Sequence, residues 1–294
     1  NPVQGSLKTP KGFCFVFDLE KLHGAFAYSN AEPAPTNEPE IKSLRVMLDR
    51  NLDLLIEEFI SGEEMSFFII SDGLNYKLFE TAQDHKRIFE ADKGPNTGGM
   101  GCYSPSRLVN QELKKKIINK IIEPTLNALK INKSEYVGFL YAGLMIKNNE
   151  PYLIEFNVRM GDPECQTILP RLKSNLLKLI IACCKKKLKN FKIKWHRKKS
   201  LSIVLCSKGY PGLFKKNIEI KNLNLKSKTF ISTIYHAGTF YKDNKYYSNG
   251  GRVLNFVHTS NSFKKIRNQI ISEIRYLDWK NGFYRKDIGY RVIK

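Results

Sequence analysis

Between residues 54 and 82, short apolar runs alternate with polar turns. Leu54-Leu55-Ile56-Glu57-Glu58-Phe59-Ile60 reads as a buried strand with acids near its end, and Ser61-Gly62-Glu63-Glu64 as a turn. Met65 to Ile70 predicts a second strand, Ser71-Asp72-Gly73 another turn, and Lys77 to Ala82 a further strand. Gln83 to Pro105, with Gly94, Pro95, Gly98, Gly99, Gly101 and Pro105, predicts a long loop. A loop of that length inside a compact domain is either functional or disordered. Gln111 to Leu129 has helical spacing with lysines on one face. Phe139 to Lys147 and Tyr152 to Val158 predict two strands joined by Asn148-Asn149-Glu150-Pro151, and Leu169 to Lys189 an amphipathic helix. Phe191 to Lys199, polar and basic, reads as a domain junction. Beyond it lie short strands at Leu201–Cys206, Phe230–Tyr235, Thr239–Tyr241 and Gly251–Val257, then a helix over Asn261–Leu277. In the first 55 residues only Phe13 to Phe17 suggests a strand; Ala31 to Pro39 reads as an extended linker, and Ile41 to Leu55 has helix-like spacing.

A length of 294 residues suggests about two domains. With 42% hydrophobic and 26% charged residues, the composition excludes a disordered chain, a collagen and a coiled coil. The longest strongly apolar stretch, Leu176 to Cys184, is interrupted by Lys178 and falls short of the ~20 residues that span a bilayer. The expectation is a cytoplasmic protein, acting as a monomer, with no membrane partner. Lys and Arg number 49 against 28 Asp and Glu, a net charge of +21. Basic runs at Lys114–Lys116, Lys185–Lys187 and Trp195–Lys199 carry no interleaved aromatic ladder, so a solvated surface is expected rather than a nucleic-acid partner. Six cysteines form no C-x-x-C pair and stand apart from the histidines, which argues against zinc. The chain opens on Asn1 rather than Met, so a fragment or trimmed piece is expected.

Glu155-Phe156-Asn157 is the sharpest metal candidate. Alternation along a strand puts Glu155 and Asn157 on one face, and two hard oxygen donors side by side suit Mg²⁺. The same spacing also describes a polar pair on an exposed hairpin. Arg159-Met160-Gly161-Asp162-Pro163-Glu164 follows directly, either a fork for phosphate or carboxylate or a salt-bridged turn. In the long loop, Asp84-His85-Lys86-Arg87 precedes Asn96-Thr97-Gly98-Gly99-Met100-Gly101, where small residues let backbone amides approach a phosphate, although Walker A spacing is missing. Glu57, Glu58 and Glu64 are either acceptors for ribose hydroxyls or solvated turn residues.

Taken together, the strings IEEFISGEEMSFFIISDG, TAQDHKR, GPNTGGMGCYSP, GFLYAGLMI, YLIEFNVRMGDPECQTILPRLKS, SKGYPG, HAGT, GGRVL and YRKDIGYR resemble, in order, the glycinamide ribonucleotide synthetase family of ATP-grasp ligases. The resemblance implies an α+β fold, an ATP-grasp core over 55–190 followed by a smaller mixed α/β C-terminal domain over 191–294, with 1–54 as an atypical segment. It implies ATP-dependent joining of glycine to 5-phosphoribosylamine in purine synthesis, through glycyl phosphate. Carried over, Glu155 and Asn157 hold Mg²⁺ or Mn²⁺. Glu57, Glu58, Phe59 and Ile60 line the adenine site and Glu64 meets the ribose. Lys86, Arg159 and Asp162 act in catalysis. Asp84, His85, Asn96, Thr97, Gly98, Gly99, Met100, Gly101, Pro163 and Glu164 face the acceptor substrates.

The family's glycine-rich start and its lysine-bearing K-A-D-G-L-A-A-G-K-G-V segment have no counterpart among residues 1–54. Weak ATP binding and slow turnover are therefore expected of the chain as it stands, the alternative being a degenerate or truncated ATP-grasp protein that binds nucleotide without turnover.

Overall fold

The computed structural model describes residues 6–9, 12–15, 60–223 and 230–293. The chain divides into two units, Asn1–Gly62 and Glu63–Lys294. The described part of the first is an antiparallel hairpin of β1 (Ser6–Thr9) and β2 (Gly12–Phe15), so the strand predicted at Phe13 is described as far as Phe15. The linker and helix predicted between Ala31 and Leu55, and Glu57, Glu58 and Phe59, lie outside the described residues.

The second unit opens with a four-stranded antiparallel sheet. Its strands are β3 (Glu63–Asp72), β4 (Tyr76–Leu78), β9 (Val137–Lys147) and β10 (Glu150–Asn157), in the order β10-β9-β3-β4. Glu63 and Glu64 belong to β3 rather than to the predicted turn, since both pair with β9. Both faces are covered, and that is why β3 reads as a near-continuous apolar run. Met65, Phe67 and Ile69 pack on one side with Leu140, Ala142 and Leu144. That side is covered by α1 (Gln111–Ile117) and α2 (Glu123–Ile131), joined through a π-helical turn at Ile118–Ile122. Asn110 caps α1 by accepting from the Leu113 amide at 2.7 Å. Phe68, Ile70 and Tyr141 face the other way.

Asn148 and Asn149, at φ 53° and 59°, form the two-residue turn between β9 and β10. Asparagine tolerates the left-handed region that such a hairpin needs, and this turn is shorter than the four-residue connection predicted.

The predicted loop from Gln83 to Pro105 is instead largely extended. It contains β5 (Gln83–Asp84), β6 (Arg87–Phe89), β7 (Lys93–Asn96) and β8 (Gly101–Ser104). β6 and β7 pair with each other. β8 and β5 join a larger sheet whose other strands come from the C-terminal third. These are β11 (Lys199–Ser207), β13 (Thr233–His236), β16 (Arg252–Ser260) and β17 (Gly282–Phe283), in the order β13-β16-β11-β8-β5 with β17 also on β11. Ser200 pairs with Ser104 and Ile203 with Gly101. A small sheet of β12 (Ile218–Ile220), β15 (Lys245–Ser248) and β14 (Thr239–Lys242) lies beyond.

Between the two sheets runs α3 (Glu164–Ile168), while α4 (Leu176–Cys184) covers the Phe68 side of the four-stranded sheet and α5 (Phe263–Ile274) buries Ile266 and Ile270 against β11 and β16. The single helix predicted over Leu169–Lys189 is therefore broken. Pro170 opens a short 3₁₀ turn, and Asn175 starts α4 by accepting from the Lys178 amide at 2.9 Å.

Candidate active site

The site is built at the end of β10. Asn157 Nδ2 donates to Glu155 Oε1 at 3.0 Å, so the two side chains share one strand face while Phe156 packs into the core behind them. A bulge between Leu153 and Glu155 shifts the register and brings Glu155 opposite Gly143. A Cβ at Gly143 would approach Glu155 Cγ to 3.1 Å, so glycine leaves the carboxylate its place.

Lys86 projects from the segment after β5 into this group. Its ammonium lies 3.8 Å from Glu64 Oε2 and 4.0 Å from Glu155 Oε1. Burial acts to lower its pKa, but Glu64, Asp84, Glu155 and Glu164 outweigh burial and hold it above the ordinary lysine range. Burial, with Glu155 adding, raises the Glu64 carboxyl against the pull of Lys86. Asp84 is raised well above the usual carboxylate range by burial and by Glu164. Glu155 and Asn157, at the edge of this cluster, are hard oxygen donors. Such a donor pair suits a hard divalent cation. Among the described residues, no three His, Cys, Asp or Glu side chains are gathered to hold a metal unaided.

The loop from Asn96 to Gly101 wraps this centre. Thr97 Oγ1 donates to the Lys86 carbonyl at 2.8 Å and accepts from the Gly99 amide at 3.0 Å, and the Met100 amide donates to the His85 carbonyl at 2.9 Å. Asn96 stands opposite Arg87 in the β6–β7 hairpin. Gly99 has φ +111°, and a Cβ there would meet Pro163 Cδ at 2.6 Å and Asp84 Oδ2 at 2.7 Å. Gly161 likewise sits so close to the Glu164 carboxylate that no side chain fits. Glu164 is buried and accepts from Ser66 Oγ at 2.9 Å, with the Tyr141 hydroxyl 3.1 Å from the same serine.

Lys86, Glu64, Asp84, Glu155, Asn157, Thr97, Gly98, Gly99, Asp162, Pro163 and Glu164 are thus linked by direct contacts or short chains of them. Arg159 stands apart, exposed, donating to the Met160 carbonyl at 3.1 Å. His85 is engaged inside the fold: Nε2 accepts from the Gly289 amide at 3.2 Å and Nδ1 lies 3.2 Å from the Gly101 carbonyl. Met100 is fully buried, its Sδ 3.7 Å from Cys206 Sγ. Ile60 belongs to the first unit.

Sequence reasoning missed Arg252. One guanidinium nitrogen, Nη1, donates to the carbonyls of Gly98 and Asp162, both at 2.6 Å, and lies 3.4 Å from Asp162 Oδ1. This arginine ties the glycine loop to the Gly-Asp-Pro turn. The Tyr210 hydroxyl supports the same loop by accepting from the Gly98 amide at 2.9 Å. Arg285 was missed too. Its side chain is 1% exposed and pairs with Asp92 at 2.9 Å and Asp287 at 2.7 Å, anchoring the β6–β7 hairpin to the C-terminal segment. The string GGRVL holds Arg252 and YRKDIGYR holds Arg285, but a single sequence gives neither arginine a distance to its partner.

A carboxylate–amide pair on one strand, a lysine between carboxylates and a glycine loop over both, set on α+β layers, define an ATP-grasp enzyme fold followed by a C domain. A crystal structure of phosphoribosylamine–glycine ligase from Thermotoga maritima shares it with a TM-score of 0.73 and 31% identity over 81% of this chain and 58% of that one. The biotin carboxylase domain of Hydrogenobacter thermophilus 2-oxoglutarate carboxylase, solved with MgADP and bicarbonate, is alike in fold alone, with a TM-score of 0.56 and 13% identity over 79% of this chain and 49% of that one. Residues 30–165 match the phosphoribosylglycinamide synthetase ATP-grasp (A) domain, and residues 200–291 match the C domain of the same synthetase. The chain belongs to the phosphoribosylglycinamide synthetase family. Phosphoribosylamine–glycine ligase of Caldanaerobacter subterraneus subsp. tengcongensis is 43% identical over 80% of this chain and 56% of its own length. The chloroplastic ligase of Arabidopsis thaliana is 41% identical over 82% of this chain and 46% of its own length. The chain spans about half the length of the curated relatives it matches.

Proposed function

We propose that this chain carries the nucleotide-binding and acceptor-binding part of a phosphoribosylamine–glycine ligase, acting in the cytoplasm as a monomer. The reading rests on Lys86 standing 3.8 Å from Glu64 and 4.0 Å from Glu155, at the edge of the Glu155–Asn157 pair. In this reaction a glycine carboxylate oxygen bonds to the γ-phosphorus of ATP as the bond to the ADP oxygen breaks. The amine of 5-phosphoribosylamine then attacks the acyl carbon of glycyl phosphate, phosphate leaves, and the nitrogen gives up a proton. Such chemistry needs positioning and charge neutralisation more than covalent help from the protein.

Glu155 and Asn157 would hold Mg²⁺ or Mn²⁺, which supplies neutralisation of phosphate charge. Lys86, kept protonated by its carboxylate neighbours, faces the transferring group. Glu64 accepts from the ribose. The Asn96–Gly101 amides and Asp84 frame the acceptors, with Arg159, Asp162, Pro163 and Glu164 on the other side and His85 fixing the loop from behind.

The test is ADP release by the full-length protein given ATP, Mg²⁺, glycine and 5-phosphoribosylamine. Release that requires both glycine and the amine, with glycinamide ribonucleotide formed, is the expected result. Nucleotide binding with no glycine-dependent release would overturn the reading in favour of a silent nucleotide binder.

A further inference from the structure

Helix α4 is apolar on both sides. Leu179 and Cys183 are buried against the four-stranded sheet. On the opposite side Leu177, Ile180 and Ile181 are 65%, 38% and 43% exposed, at the i, i+3, i+4 spacing of a single stripe. Helices that are apolar all round are normally covered on both sides, and a surface helix has no use for three bare aliphatics.

The surroundings say what kind of cover fits. From Cys165 to Ile218 the sequence has no Asp or Glu, while Lys173 to Lys199 contains eleven lysines and arginines. Six of them stand around α4. The main chain after the helix turns back beside its approach, with Leu172 bridged to Trp195 and the Lys173 amide donating to the Lys194 carbonyl at 2.9 Å. Lys173 and Lys194 therefore flank the start of the helix, while Lys185, Lys186 and Lys187 crowd its end and Lys178 rises from its middle. All six are exposed, and none has an acidic partner among the described residues.

We propose that this face docks on an anionic lipid bilayer, its aliphatic stripe dipping into the headgroup boundary while the lysines meet lipid phosphates. Lysine attracts an anionic leaflet, and exposed aliphatics on the same face add apolar burial that a purely polar polyanion cannot offer. A second copy of the chain fits poorly, because a two-fold contact would press one lysine field onto another. Single-stranded nucleic acid fits poorly for a different reason. It binds by stacking on aromatics, and the segment's aromatics turn inward: Phe191 packs on the core and Trp195 meets Phe79 edge-on at 4.8 Å. No helix among the described residues is long and apolar enough to cross a membrane, and surface docking needs none.

The test is co-sedimentation of the full-length protein with vesicles of phosphatidylcholine alone or mixed with phosphatidylglycerol. Binding confined to the anionic vesicles and falling steeply with salt is expected. Lys185→Glu/Lys186→Glu/Lys187→Glu should weaken it by roughly tenfold or more. Leu177→Ser/Ile181→Ser should weaken it at moderate salt, leaving a remnant that salt removes. Both variants alter exposed side chains, and unchanged thermal unfolding will show that they fold. Absence of binding to anionic vesicles at low salt, or equal binding to both vesicle types, would refute the proposal. So would capture by RNA homopolymer that the serine variant leaves intact, or concentration-dependent dimerisation that it abolishes.

Discussion

The backbone amide of Gly289 donates to Nε2 of His85 at 3.2 Å, joining residues 204 positions apart. Because that nitrogen accepts, the other ring nitrogen, 3.2 Å from the Gly101 carbonyl, must carry the proton. Burial, with Arg285 second, lowers the His85 pKa from 6.5 to about 4. The unfolded chain then binds a proton that the folded one refuses, so stability is present above about 6.5 and is lost as pH falls toward 4. The loss amounts to roughly 3 kcal/mol at most. Asp84 and Glu64 act with the opposite sign, since their raised values favour the folded state as pH falls. The measurement is therefore a difference: urea midpoints at pH 7 and pH 5 for the native chain and for His85→Gln. The native chain should lose more between the two pH values, and parallel losses would show that the ring is not held neutral.

Arg252 offers a second test. Arg252→Met keeps much of the apolar stem but removes the nitrogen that donates to both the Gly98 and the Asp162 carbonyls. Turnover in the full-length protein should fall on the order of 10²-fold from misplacement of the loop. Circular dichroism should be unchanged, and near-native turnover would mean that the loop keeps its place without the clamp.

Glu155→Ala should remove Mg²⁺-dependent turnover, by on the order of 10²-fold or more. The side chain is 34% exposed, so stability should move by only about 0.5 kcal/mol. Steady-state ADP release and a thermal melt on the same sample separate the two effects.

The glycines form a graded series. Gly143→Ala should be mild, since a Cβ finds Glu155 Cγ at 3.1 Å and that side chain can yield. Gly99→Ala adds a left-handed backbone to contacts with Pro163 and Asp84, and Gly161→Ala strikes the buried Glu164 carboxylate. Both should cost about 1–3 kcal/mol in denaturant unfolding and depress activity further. Equal tolerance at all three positions would contradict the packing described.

The sequence exposes those parts of this fold whose cause is local. Phe67, Phe68, Ile69 and Ile70 announce a strand buried on both faces, and the alternation through Phe156 puts Glu155 beside Asn157 without any knowledge of neighbours. Gln83 to Pro105 misleads because its strands are short, broken by Gly and Pro, and held by partners such as Ser200 and Ile203 about a hundred residues on. Asp84 reads as part of a charged loop and Glu164 as part of a charged turn, yet both are buried, and what buries them is a sheet assembled from distant segments. Arg252 is invisible for the same reason: nothing nearby in the chain needs it.

The placement of β8 between β5 and β11 also sets an order of events during synthesis. A ribosome delivers Gly98 to Ser104 long before Ser200 to Ile203 exist to pair with them, and Gly289 can reach His85 only after 204 further residues have been made. Until then the glycine loop has no Arg252 and β8 has an open edge. The first half of this unit therefore waits, half-built, for strands made about a hundred residues later. A nascent chain stalled before residue 199 should be more prone to aggregation than the finished protein, in proportion to how long that edge stays bare.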